Sequence, residues 1–215
     1  MDLSRKKIEE ENMLTAKQYL DNPAQLKIGD IIIGKNNSKS AQVTTQDGKQ
    51  ICLKLGTPSQ PVTSPFGLSV FGDQPADRVS LDLRTSQEIE HCILRIDQAI
   101  LKYVEDNAKK FFGEKVSKDK IHDFFRPTVK CHEEGKYDPL IKCKLSKSRV
   151  KVWTPSREPA SVEDIKPHSQ MCVVLLVRSC YFQSKGFGLT LEVQHVQLAD
   201  SNEDCPFEDM CGEEE

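Results

Sequence analysis

Residues 136–157, KYDPLIKCKLSKSRVKVWTPSR, carry the alternation that decides the fold. Ile141, Cys143 and Leu145 alternate with Lys142 and Lys144, and Val150 and Val152 alternate with Arg149, Lys151 and Trp153. Successive side chains on a strand point to opposite faces, so each segment has one apolar and one basic face. The spacing predicts two short strands joined as a hairpin by a small Ser/Lys turn. Trp153, the only tryptophan of the chain, falls on the basic face. Cations suit phosphates and an aromatic ring suits bases, a combination that fits single-stranded nucleic acid. For Lys142, Lys144, Arg149 and Lys151 alone, an ordinary solvated sheet face is an equally good reading. Trp153 on the same face favours the ligand.

C-terminal to this stretch, TPSREPASVEDIKPHSQ (154–170) reads as a loop with one helical turn at 161–165. MCVVLLVRSCYF (171–182) has the length and composition of a buried strand, QSKG turns, and FGLTLEVQHVQL (187–198) returns. Leu189, Leu191 and Val193 share a register that Val196 and Leu198 do not, which predicts a bulge near Gln194–His195. Tyr181 and Phe182 are neighbours and face opposite ways. Only one of them can lie on a ligand face. For Tyr181, Phe182 and Phe187, stacking on bases and packing in the core are equally good readings; Lys185 in the turn joins the basic set.

On the N-terminal side, Thr85 and Glu88 fit a capping box, and Ile89, Ile93, Ile96, Ile100, Tyr103 or Val104, and Phe111 repeat at helical spacing up to a stop at Gly113. A second helix is expected from Ser117 to about Phe125, ended by Pro127. Together they read as a helical insertion, residues 86–126, capping a sheet. VSLDLRT (79–85) reads as a strand. The Pro/Gly-rich loop 56–77 carries Phe66 and Phe71. These could form a lip that stacks on a base, but the preferred reading is a loop pinned to the core by its two phenylalanines. KIGDIIIG (27–34) reads as a strand, and 40–46 and 49–55 as a hairpin about Asp47-Gly48. Residues 1–26 form either a charged arm or an amphipathic helix ended by Asn22-Pro23.

Residues 199–215 hold eight acids and no base, so a net charge of −3 hides a body at +5. A basic body with an acidic tail suits regulated nucleic-acid affinity or recruitment of a partner, with Phe207, Glu208 and Asp209 as the candidate partner-binding residues. A disordered solubilising tail is nearly as good a reading. The charged N-terminus is unlike a secretory signal and no run is apolar enough to span a membrane, so an intracellular protein is expected. The eight cysteines form no CxxC pair and are expected to be reduced, and Cys131-His132 lacks further ligands for zinc. No phosphate-binding loop, nucleophile elbow or metalloprotease motif occurs. The expectation is a binding protein, neither an enzyme nor a user of metal or cofactor.

Short strands, hairpins and an intervening helix predict a mainly β domain (α+β) over 27–198, with an antiparallel barrel core resembling the oligonucleotide-binding fold. The order of PFGLSVF (65–71), VSLDLR (79–84), the long helix, YDPLIKCKL (137–145) and MCVVLLVRSCYFQSKGFGLTLEVQHVQL (171–198) resembles the single-stranded DNA-binding proteins of nucleocytoplasmic large DNA viruses and some protists. The closing hairpin, with aromatics before the turn and K-x-F-G-L after it, is its most specific part. The resemblance implies a barrel core, sequence-independent binding of single-stranded DNA, and a role in replication, repair or recombination in a host nucleus or at a cytoplasmic viral replication site. Replication proteins and further copies of the chain are its implied partners. The alternatives are a scaffold protein of a virion or replication complex, whose basic face meets an acidic protein, and an RNA-binding regulator.

Overall fold

A computed structural model describes residues 13–34, 37–70, 77–84, 86–112, 116–131 and 138–199. Two long strands, β13 (Gln170–Gln183) and β14 (Gly186–Leu198), pair antiparallel along their whole length. The first was legible as a strand from its length and continuous apolar run, the second from apolar residues that recur with period two. The ladder shifts register where Gln194 has no partner, between Val193 and His195, as the sequence pattern required. A second shift at Val177/Ser179 leaves Arg178 as an extra residue.

Every other described strand is shorter, and of the three predicted hairpins only this closing one forms. β4 (Lys39–Thr45) runs beside β13 from Lys39 opposite Phe182 to Gln42 opposite Ser179. It then leaves to pair Val43–Thr45 with β2 (Leu26–Ile28). The chain turns at Asp47-Gly48, with Gly48 at φ +80°, and β5 (Ile51–Leu55) rejoins β13 at Ile51 opposite Val177. The turn forms as expected, but the strands lie end to end along one neighbour. The described part of the basic stretch, residues 138–157, does the same. β10 (Leu140–Ser146) and β11 (Lys151–Trp153) both run parallel to β14, at Lys144 opposite Glu192 and at Lys151–Trp153 opposite His195–Gln197. A ladder edge 13 or 14 residues long accepts two short strands in succession, each satisfying backbone groups that would otherwise be unpaired.

The remaining strands complete a circuit. β8 (Arg78–Arg84) pairs antiparallel with all of β10, and meets β6 (Val62–Thr63) at Arg84 opposite Thr63. β6 returns to β13 at Val62 opposite Met171 and Thr63 opposite Gln170. Hydrogen-bonded pairing thus runs β6–β8–β10–β14–β13–β6, with thin seams at β6–β8 and β10–β14. Short additions extend it: β1 (Met13–Thr15) on β5, β3 (Ile32–Ile33) on β4, β7 (Leu68–Ser69) on β8, β9 (Val129–Lys130) on β10 and β12 (Pro159–Ala160) on β11. The inner face buries Val79, Leu81, Leu83, Ile141, Cys143, Leu145, Val173, Leu175 and Leu191.

Residues 1–26 were expected to form an arm or helix preceding the domain; the described part of them, residues 13–26, pairs and packs with it. β1 joins the sheet, and α1 (Ala16–Asp21), capped by Thr15, buries Tyr19. α2 (Gln87–Asp106) buries Ile89, Ile93, Ile96, Ile100 and Val104 on one face, as the spacing predicted. Its cap is Ser86, whose hydroxyl accepts from Ile89 N at 3.4 Å; Thr85 lies outside the described residues. The expected single helix is broken at Asn107, whose side-chain amide donates to Tyr103 O at 2.9 Å and competes with the helical pattern. α3 (Ala108–Phe112) follows, and α4 (Lys118–Phe124) starts at its Ser117 cap. Asp97 of α2 is buried and accepts from Thr128 N at 2.8 Å and Thr128 Oγ1 at 2.7 Å, tying the helix to the segment entering β9. Burial pushes its carboxyl up to about 6, against the pull of these hydrogen bonds. The six described cysteines are free thiols, and among the described residues no helix is long and apolar enough to cross a membrane.

Candidate nucleic-acid interface

Residues directly opposite each other on neighbouring strands share a face, so the register maps the outer surface. Trp153, Gln197 and Cys172 form one row across β11, β14 and β13. Lys151, His195, Val174 and Lys54 form the next. Lys144 and Glu192 lie in a third row with Ser80 and Leu176. Tyr181, Gly188 and Ser40 lie in the last, near the hairpin turn. The face assigned to the basic stretch is therefore right although its hairpin is not, because alternation survives any choice of neighbour. Ile141, Cys143, Leu145 and Val152 are buried, while Lys144 and Lys151 are exposed. Gly188 and Gln197 are separated along β14 by roughly 30 Å at the rise of an extended strand.

The cations between these ends are arranged about two acids. Lys142 stands opposite Asp82, with its amine 3.9 Å from the carboxylate. Arg149 and Arg178 approach the two oxygens of Glu192 at 3.1 and 2.9 Å. Lys144 is held below the ordinary lysine range by partial desolvation, then by the charge of Arg78, with Glu192 opposing both. Lys151 and Lys54 make no ion pair among the described residues. Lys54, Arg178, Asp82 and Glu192 were not singled out in the sequence. The lone arginine within MCVVLLVRSCYF was the available signal for Arg178.

The aromatic candidates divide. Trp153 and Tyr181 are half-buried on the outer face. Partial burial raises the Tyr181 hydroxyl above its ordinary range. Phe182 and Phe187 are corrected to the core, at 7% and 1% exposed. They stack on each other at 5.8 Å, and Phe182 stacks on Phe111 at 4.9 Å. Phe112 and Phe125 close on Phe187 at 6.0 and 5.4 Å. The helical insertion supplies the apolar surface that draws these rings inward, and a ring so enclosed has no face for a base. Phe66 is corrected in the opposite sense. Its loop is pinned, but by Ser64, whose N donates to Ser169 O and whose carbonyl accepts from His168 N, leaving Phe66 57% exposed. Phe71 and the candidate tail residues Phe207, Glu208 and Asp209 lie outside the described residues.

The K-x-F-G-L segment that carried the resemblance is structural. Arg126 donates from its backbone N to Phe187 O at 2.8 Å and from Nη2 to Lys185 O at 2.7 Å, clamping the turn to the end of α4. A Cβ at Gly188 would stand 2.6 Å from Arg126 O and 3.0 Å from the Tyr181 hydroxyl, so only glycine leaves room for both. Lys185 is exposed beside this clamp.

Residues 70–210 match the model of a family of unknown function, DUF5871. The chain belongs to that family. None of the curated proteins compared matches this DUF5871 member. Among solved structures, it is similar to a single-stranded DNA-binding protein from bacteriophage Enc34 in complex with ssDNA. The identity is 16% and the TM-score 0.44, over 80% of this chain and 94% of the phage chain. A C-terminal truncation of that phage protein is similar at 14% identity and a TM-score of 0.44, over 79% and 94% of the two chains. The phage protein without that truncation, described without ssDNA, is similar at 16% identity and a TM-score of 0.40, over 86% and 98%.

Proposed function

We propose that this DUF5871 protein binds single-stranded DNA without regard to sequence and without catalysis, in support of replication, repair or recombination. The five-strand circuit is read as a partly open barrel of the oligonucleotide-binding kind. The observation that carries the reading is the outer face of β13–β14 and its flanks: Tyr181 at one end, Trp153 at the other, and Arg178, Arg149, Lys144, Lys151 and Lys54 between them. Cations spaced along an extended track suit a phosphate backbone, and half-buried rings accept any base because every base has a π-face. The acidic residues 199–215 compete with DNA for this face and offer replication proteins a contact.

The test is fluorescence anisotropy with oligo-dT and with duplex DNA of equal length. The expected result is preference for the single strand, with log affinity falling linearly with log salt. Equal binding to both, or none at low salt, overturns the reading. Tighter binding by oligo-rU than by oligo-dT would favour RNA.

A further inference from the structure

A phosphate-binding face has no evident need of Glu192. Its side chain is nine-tenths buried, and its two oxygens engage guanidiniums from two other parts of the chain. Two irregularities in the sheet bring them there. Arg178 is the extra residue of the β13 register shift, and the bulge lets it reach Glu192, whose direct ladder partner is Leu176. Arg149 sits in the excursion between β10 and β11. The Asp77 carboxylate fixes that turn, accepting from Ser148 N at 2.8 Å and Ser146 Oγ at 2.9 Å. Lys144 stands opposite Glu192 on the other flank.

We infer that Arg149 and Arg178 form a paired-guanidinium site for backbone phosphates, with Glu192 as its positioning residue. Two cations brought this close without an intervening carboxylate repel each other and splay. Glu192 offsets that repulsion, yet the arginine side chains stay 56% and 45% exposed. A guanidinium carries five N–H donors in a rigid fork, so donors remain on both heads for phosphate oxygens. The carboxylate is buried beneath the two heads and presents little negative surface to a ligand. The inference rests on the proposed single-strand reading and adds the groups that grip the backbone.

The charge-conserving variant Arg149→Lys/Arg178→Lys separates geometry from charge, because lysine supplies a point charge and no fork. Its affinity for oligo-dT is expected to fall by about 3- to 10-fold. In Arg149→Ala/Arg178→Ala the slope of log affinity against log salt is expected to shrink by about two, roughly one per lost phosphate contact. Glu192→Gln makes the protein more positive, so simple electrostatics predicts tighter binding; positioning predicts weaker binding. Wild-type affinity in the double-lysine variant, or undiminished affinity in Glu192→Gln, overturns the inference. Circular dichroism and thermal unfolding establish that each variant is folded. Should Glu192→Gln not fold, the double-lysine variant decides alone. A wild-type protein that ignores oligo-dT defeats the single-strand reading itself. Wild-type binding that both substitutions leave intact defeats only the clamp.

Discussion

On the inner face of the β13–β14 ribbon, Phe182 and Phe187 stack on each other under Phe111 and Phe112. On the outer face, Tyr181 lies over Gly188, and Trp153 stands opposite Gln197 at the far end. All four were candidates for stacking on bases. The difference lies in what covers them: the helical insertion brings an apolar surface to one face, while the other faces solvent beside cations. An aromatic therefore tells little about its role until its neighbours in space are known. The motif around Lys185–Leu189 teaches the same lesson, since its glycines make room for Arg126 and Tyr181 and no ligand is needed to explain them.

The largest effect is expected inside. Phe187→Ala removes a ring packed by three others and is expected to lower stability by about 3–5 kcal/mol. Chemical denaturation measures this, and a loss below about 1 kcal/mol would break the division between the faces. The next test concerns the helix that backs the inner face. Asp97 binds its proton more tightly in the folded chain than in the unfolded one, since its carboxyl rises from 3.8 to about 6. Stability is therefore expected to be full below about pH 4 and to fall as the pH rises to about 6, by roughly 3 kcal/mol at 1.36 kcal/mol per unit. Asp97→Asn should flatten that slope in denaturation curves between pH 4 and 7; an unchanged slope assigns it to other groups. The smallest effect on folding, and the largest on the ligand, is expected outside. Trp153→Ala is expected to weaken oligo-dT binding by about 1–3 kcal/mol. Fluorescence of Trp153 should be quenched on binding, and an unquenched ring with unchanged affinity would return Trp153 to packing.

Much of this was written locally. Alternation over 140–153 assigned the buried and exposed faces of that stretch, Leu189, Leu191 and Val193 share a buried face as their spacing required, and the register conflict at Val193/Val196 located a real shift in the ladder. Spacing of three and four located α2, and Gly48 marked a true turn. Beyond the β13–β14 hairpin, the pairing of strands was not legible. Asp47-Gly48 and the turn after Ser146 have the residues of hairpins, yet each is an excursion between two strands aligned on one long edge. Arg178 as an extra residue, and its meeting with Glu192 and Arg149, depend on that alignment too.

The sequence by itself determined where the long strands and the long helix lie and which side of the basic stretch is apolar, though not the break at Asn107 or the short strands within 56–77. Both properties depend on backbone preference and on a two- or 3.6-residue period, and these act within a few neighbours. Only the tertiary structure decided which strands meet, which aromatics the insertion covers and which charges converge on Glu192. Those outcomes depend on the length of free ladder edge and on apolar surface supplied from residues far away in the chain. No local pattern records either of them.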